Sequence, residues 1–228
     1  IAFHEAGHAA ISWLLEFASP LVKVTIVPRG KSLGAAWYLP EERQLSSSNQ
    51  ILDEMCAALG GRAAEELIFG QVTTGALSDL EKVTKQARAM VTVYGLNEKL
   101  GNITYYDSSD QNDYQFNKPY SEKTAQIIDE EISSIIETQY IRAKDLLAAN
   151  KDKLTSLANE LLEKEVIFKE SMEGIFGKRP WTSRMDIVEK SNAVAKPTKQ
   201  SKAKKATKSK KKTASKAGDQ DQGTDGDK

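Results

Sequence analysis

From Ala2 to Leu15 apolar side chains fall almost all round a helical wheel, with Ala9, Ala10, Ile11, Trp13, Leu14 and Leu15 close together. That pattern predicts a buried helix from Ile1 to about Glu16, ended by Pro20. A β-branched run follows, Val22, Val24, Thr25, Ile26 and Val27, stopped by Pro28 and Gly30. It predicts a strand, and "LGAAWYLP" reads as a second strand returning from the turn. Two short strands make a ribbon, not a large sheet. Beyond it the periodicity is helical. Ser46 to Ser48 offer caps for a helix with Ile51, Leu52, Met55, Cys56 and Leu59 on one face. Gly60-Gly61 is expected to interrupt it, leaving "RAAEELIFG" as a short helix closed by Gly70. Leu80, Val83, Ala87, Met90, Val91 and Tyr94 then stand at helical spacing up to Gly95. The polar "DSSDQNDYQFNKPY" predicts a surface loop. From Ser121 a long helix carries Ile128, Ile132, Ile135 and further apolar positions to Leu146 and Leu147, and a partner helix uses Leu154, Leu157, Leu161 and Leu162. These stripes read as core, so the fold class is mainly α with a short β-ribbon.

Composition divides the chain. Hydrophobic residues make up 39% of 228, enough for one sizeable core. The net charge is zero, but residues 191–228 hold 11 Lys, no Arg and 4 Asp, which leaves 21 basic against 28 acidic residues in 1–190. An acidic body, residues 1–190 with "KRPWTSR" near its end, is therefore expected to carry a Lys-rich tail, 191–228, too poor in apolar surface to fold. With no aromatic and no Arg interleaved, that tail predicts no specific nucleic-acid binding, only weak attraction to anionic surfaces. The single Cys56 precludes an internal disulfide and points to a reducing compartment. No apolar run approaches the roughly 18–20 residues that span a bilayer, and no signal peptide is visible. The first residues already read as mid-helix, so the N-terminus is expected to be a cut through a longer protein.

Candidate chemistry concentrates at the start. The only two histidines of the chain, His4 and His8, are four residues apart with Glu5 beside the first. On a helix, positions i and i+4 lie on one face. Two imidazoles there can each offer a nitrogen to one zinc ion, and the adjacent carboxylate can take a proton from water at the metal. A catalytic zinc needs a third protein ligand. No third histidine exists, and Glu16 is too far along the helix axis. Cys56 reads as core, which leaves Glu65, Glu66 and Asp79, and spacing alone does not choose among them.

The stretches "FHEAGHA", "GGRAAEELIFG" and "TTGALSDLEKVTKQARAMV", in this order, resemble the peptidase domain of the FtsH family, and the likeness continues through "GLNEKLG" and "YSEKTAQIIDEEI" to about residue 165. These are membrane-anchored zinc proteases with an AAA+ motor. The resemblance implies a zinc-peptidase domain whose third ligand is Asp79, with Glu65 holding a ligand imidazole through a hydrogen bond. Asp79 would arrive as the apolar stripe beginning at Leu80 packs on the His4/His8 helix. Zn²⁺ is then the cofactor of this domain. ATP and Mg²⁺ belong to a motor that this sequence lacks, as it lacks the membrane segment. The resemblance also implies a homo-hexameric ring, unfolded or membrane protein substrates, and a bacterial inner membrane with this domain facing the cytoplasm, an organellar membrane being the alternative. The ribbon residues Gly34, Ala35, Ala36 and Trp37 offer an edge on which an extended substrate pairs as an added strand. The competing function is a metal-binding oligomerisation scaffold without proteolysis, against which an intact Glu5 argues.

Overall fold

Apolar positions on nearly every side of the first segment leave it one stable place, the middle of the protein. Helix α1, Ala2–Leu14, is buried along almost its whole length. The computed structural model of the chain describes residues 1–28, 34–38, 45–106 and 119–181. The expectations for the Lys-rich tail and the limit at residue 190 lie outside them, as does most of the polar loop that begins at Asp107. In chain order the described elements continue as β1, Leu21–Thr25; β2, Ala35–Tyr38; α2, Ser48–Phe69; a 3₁₀ turn, Thr74–Ala76; α3, Leu77–Thr92; α4, Glu122–Ala149; α5, Lys151–Lys164; β3, Val166–Phe168; and α6, Lys169–Phe176. The protein is mainly α, with one small antiparallel sheet.

Three expectations need correction. First, α2 runs unbroken through Gly60 and Gly61. Those glycines do not end the helix; they let α1 reach its backbone. A Cβ on Gly7 would lie 2.3 Å from the Gly60 carbonyl oxygen, and one on Gly60 would lie 2.7 Å from the Gly7 carbonyl oxygen. Second, the sheet has three strands in the order β2-β1-β3, not two. Val166–Phe168 is too short for its alternation to be recognised, and it becomes a strand by pairing with β1 in the register Val24↔Ile167. Third, α1 stops at Leu14, well before Pro20. The loop after it is held from outside: Arg179 Nη2 donates to the carbonyls of Leu15 and Ala18, both at 2.8 Å, and Asp53 Oδ2 accepts from Phe17 N–H at 3.0 Å. Asp53 is itself buried and paired with Arg142 Nη2 at 2.8 Å.

The core forms two clusters with α2 between them. One packs α1 (Ala6, Ile11, Trp13) on β1, α5 and α6 through Val24, Leu154, Leu157, Leu161 and Met172. The other packs Met55 and Leu59 of α2 on Val83, Met90 and Val91 of α3 and on Ile128 and Ile132 of α4. Each of the fully buried leucines contributes about 1.5–3 kcal/mol relative to exposure. Tyr94 and Leu162, read from spacing as core, are mostly exposed. Caps fall where small polar residues stand. Ser47 accepts from Gln50 N–H and Ser121 from Thr124 N–H, each worth about 1 kcal/mol. Gly70, at φ +66°, closes α2.

On intrinsic propensity alone, alanine for glycine inside a helix stabilises by about 1 kcal/mol. At Gly7 the outcome reverses, because the obstructing atom belongs to a backbone that is itself part of a helix. Gly7→Ala is expected to lose about 3 kcal/mol or more in urea unfolding. A neutral or stabilising result would show that α1 and α2 can separate at no cost.

Candidate metal centre

The contact between Gly7 and Gly60 fixes how α1 meets α2, and this register puts both histidines on one stripe of α2. Ala57, Gly61 and Glu65 lie four residues apart on that stripe. His8 Nδ1 donates to the Ala57 carbonyl at 2.9 Å, and His4 Nδ1 donates to Glu65 Oε1 at 2.8 Å. Glu65 is fixed in turn by Thr73, whose N–H reaches Oε2 at 2.9 Å and whose hydroxyl reaches Oε1 at 3.2 Å. With both Nδ1 atoms engaged as donors, each ring in its neutral form carries its lone pair on Nε2. The two Nε2 atoms stand 3.0 Å apart, and Asp79 Oδ2 lies 3.4 Å from each. Asp79 comes from the first turn of α3, whose stripe faces α2 and α4 rather than packing on α1.

Two imidazole nitrogens and a carboxylate oxygen converge here, and such an arrangement attracts a cation, whether a proton or a metal ion. The protonation behaviour shows the same demand. Burial would lower the His8 pKa, but its hydrogen bond and charge interaction with Asp79 outweigh that and raise it. Burial would raise the Asp79 pKa, yet the two histidines hold its carboxyl well below the usual range. Glu65 is likewise lowered, the Thr73 and His4 hydrogen bonds overcoming burial. The donor set, two imidazole nitrogens and one carboxylate oxygen, suits zinc. Tetrahedral bonds of about 2.0–2.1 Å set ligand atoms about 3.3 Å apart, close to the 3.0 and 3.4 Å separations of these three atoms.

Glu5 sits beside this triad, buried, with its pKa raised because burial disfavours the charged form. Gly34 backs onto it so closely that a Cβ there would lie 2.7 Å from Glu5 Oε1. A cavity of about 610 Å³ opens over the site, lined by the triad, Glu5, Gly34 and the β2 residues Ala35, Ala36 and Trp37. β2 is an edge of the sheet. The other carboxylate and thiol candidates are elsewhere. Glu66 faces away, accepting from the Tyr140 hydroxyl and pairing with Lys144 at 3.5 Å. Cys56 is fully buried in the α1/α2 core, where burial pushes its thiol up to about 12.

Sequence reasoning missed several parts of the site. The Ala57 carbonyl and Thr73 carry no signature in sequence. Ser12 did have one, since it continues the His4, His8 series by one further turn. It hydrogen-bonds Tyr38, whose hydroxyl is pushed up in pKa by burial, and both line the cavity.

A model of peptidase family M41 matches residues 1–175. The chain is 60% identical over 200 residues to the ATP-dependent zinc metalloprotease FtsH of Parabacteroides distasonis, covering 86% of this chain and 29% of that protein. It is 57% identical over 175 residues to the FtsH of Karelsulcia muelleri, covering 77% and 28%. To the mitochondrial inner membrane m-AAA protease component AFG3L2 of Mus musculus it is 49% identical over 184 residues, covering 81% and 23%. The chain spans less than a third of the length of these curated relatives.

The raised pKa of Glu5 has a stability consequence in metal-free protein. Below its unfolded value of 4.5 the carboxyl is neutral in both states and costs nothing. As pH rises through the folded value, the folded state must ionise a buried group, and stability is lost. Glu5→Gln is therefore expected to stabilise chelator-treated protein, by a margin that widens between about pH 5 and pH 8 in urea unfolding. An equal margin at both pH values would place the ionisation elsewhere.

Proposed function

The chain belongs to peptidase family M41, and we propose that it is the zinc-dependent endopeptidase unit of a membrane-anchored, ATP-dependent protease that degrades unfolded, damaged or short-lived proteins. The observation that carries this reading is the convergence of His4, His8 and Asp79 on one point, with Glu5 alongside in a cleft edged by a strand. His4, His8 and Asp79 would hold the zinc, and Glu65 would keep the His4 ring in its orientation and tautomer. Zinc bound there lowers the pKa of water and polarises a carbonyl oxygen. Glu5 acts as the proton carrier. Its carboxylate oxygen takes the proton of the attacking water and returns it to the nitrogen of the leaving amine. Burial favours the protonated form of Glu5 after the first transfer, which makes it the stronger base. β2, at the edge of the sheet, would bind substrate as an added strand, so recognition reads the main chain and tolerates many sequences. Support for the larger assembly comes from the relatives. The names of the two bacterial proteins couple zinc proteolysis to ATP, and that of the mouse protein places a protease component in the mitochondrial inner membrane. A homo-hexameric ring, a motor using ATP and Mg²⁺, and a membrane anchor outside this sequence belong to the same proposal. Among the described residues no helix is long and apolar enough to cross a membrane.

Glu5→Gln in the full-length enzyme is expected to retain zinc and lose proteolysis of an unfolded substrate, while His4→Ala loses both. Wild-type cleavage by Glu5→Gln would sink the assignment of Glu5.

The two carboxylates beside the histidines are expected to separate in a metal assay. Asp79→Ala should purify largely without zinc. Glu65→Ala should bind it about 10–100-fold more weakly yet fill at saturating metal. The reverse order would exchange their roles.

A further inference from the structure

We propose that Gly61 is a positioning residue for the metal site, the one place on α2 where the absence of a side chain lets the two imidazoles converge. The inference rests on the reading of His4 and His8 as zinc ligands. A Cβ at Gly61 would lie 2.6 Å from His4 Nε2, 2.6 Å from His4 Cε1 and 2.6 Å from His8 Nε2. Both atoms that would ligate the metal thus occupy the space that a Gly61 side chain would enter. A ring tip normally swings aside to admit a methyl group. Here neither ring can do so freely. His8 is tethered through Nδ1 to the Ala57 carbonyl at 2.9 Å, one turn before Gly61, and His4 through Nδ1 to Glu65 Oε1 at 2.8 Å, one turn after it. Admitting a methyl group means breaking one of these bonds or moving an Nε2 off the common point. Either change removes the donor geometry that a tetrahedral ion requires.

Gly61 differs from its neighbour in what it protects. At Gly60 the obstructing atoms are the Gly7 backbone, so that residue serves the helix crossing itself. At Gly61 the three nearest atoms all belong to the His4 and His8 rings, so the cost of a larger residue should fall on metal binding and vanish when the rings are removed. A merely structural glycine behaves differently, since alanine there changes stability by the same amount whatever occupies positions 4 and 8.

The test uses the full chain, Zn²⁺ with a competing chelator, and thermal melting of the metal-free proteins. Wild type is expected to bind one zinc per chain, and Gly61→Ala to bind it at least about 100-fold more weakly with helix content retained. In the background His4→Ala/His8→Ala, adding Gly61→Ala is expected to raise the melting temperature, as alanine does in an unobstructed helix. This arm keeps the test decisive even if Gly61→Ala alone folds poorly. Wild-type zinc affinity in Gly61→Ala, or destabilisation of equal size in both backgrounds, overturns the inference. If wild type binds no zinc, or His4→Ala binds it as tightly, the ligand reading fails and takes this inference with it.

Discussion

The close approach of α1 to α2 at Gly7 and Gly60 is the constraint on which the rest depends. Each glycine's missing side chain is replaced by the other helix's backbone. At that separation a side chain at either position would put a Cβ into the facing helix's carbonyl, so the crossing is tied to these two glycines. The fixed register then determines the site. His8 meets Ala57 and His4 meets Glu65, so each imidazole has its Nδ1 satisfied and its Nε2 turned to the same side. The convergence of the two histidines is a consequence of helix packing, achieved on two helices rather than on loops.

The third acceptor comes from a helix that does not need to touch α1. α3 packs on the opposite face of α2, through Val83, Met90 and Val91 against Met55 and Leu59, and its first turn delivers Asp79 to the histidines. α2 therefore carries the site on one face and its third contributor on the other, which explains why it is buried on so many sides. The same helix reaches the loop after α1 through Asp53, so the wall of the cleft at Ala18 and Ser19 is tied to the element that orients the histidines.

Much of this was legible before any coordinates. The helices announce themselves through apolar spacing, and His4, Glu5 and His8 announce zinc chemistry because their spacing matches a helical turn. Legibility fails where a residue's meaning depends on what lies opposite. Gly60-Gly61 reads locally as a helix breaker, yet α2 persists because tertiary contact outweighs a cost of about 1 kcal/mol per glycine. β3 spans only Val166–Phe168, and nothing in that stretch marks a strand until β1 supplies the partner. The Ala57 carbonyl that fixes His8 is a backbone atom and leaves no trace in sequence. The choice among Glu65, Glu66 and Asp79 was open to spacing for the same reason: all three are carboxylates on helices, and only their directions differ.

Convergence of two imidazoles and a carboxylate on one point calls for a cation, and the fold maintains it by anchoring each ring through its Nδ1 to α2. Asp79 is held in its charged form, His8 takes up a proton more readily than a buried imidazole otherwise would, and Glu65 stays ionised against Thr73 and His4. Glu5 is the exception, since burial pushes it toward neutrality. On the proposed reading, one carboxylate environment would keep charge on the metal ligands, and the neighbouring one would let a proton arrive and leave. The two differ in balance: Asp79 Oδ2 lies 3.4 Å from both imidazoles and they hold it ionised, while at Glu5 burial outweighs the charges of the same two histidines. That division of labour between adjacent carboxylates is what proton-transfer chemistry beside a Lewis acid requires.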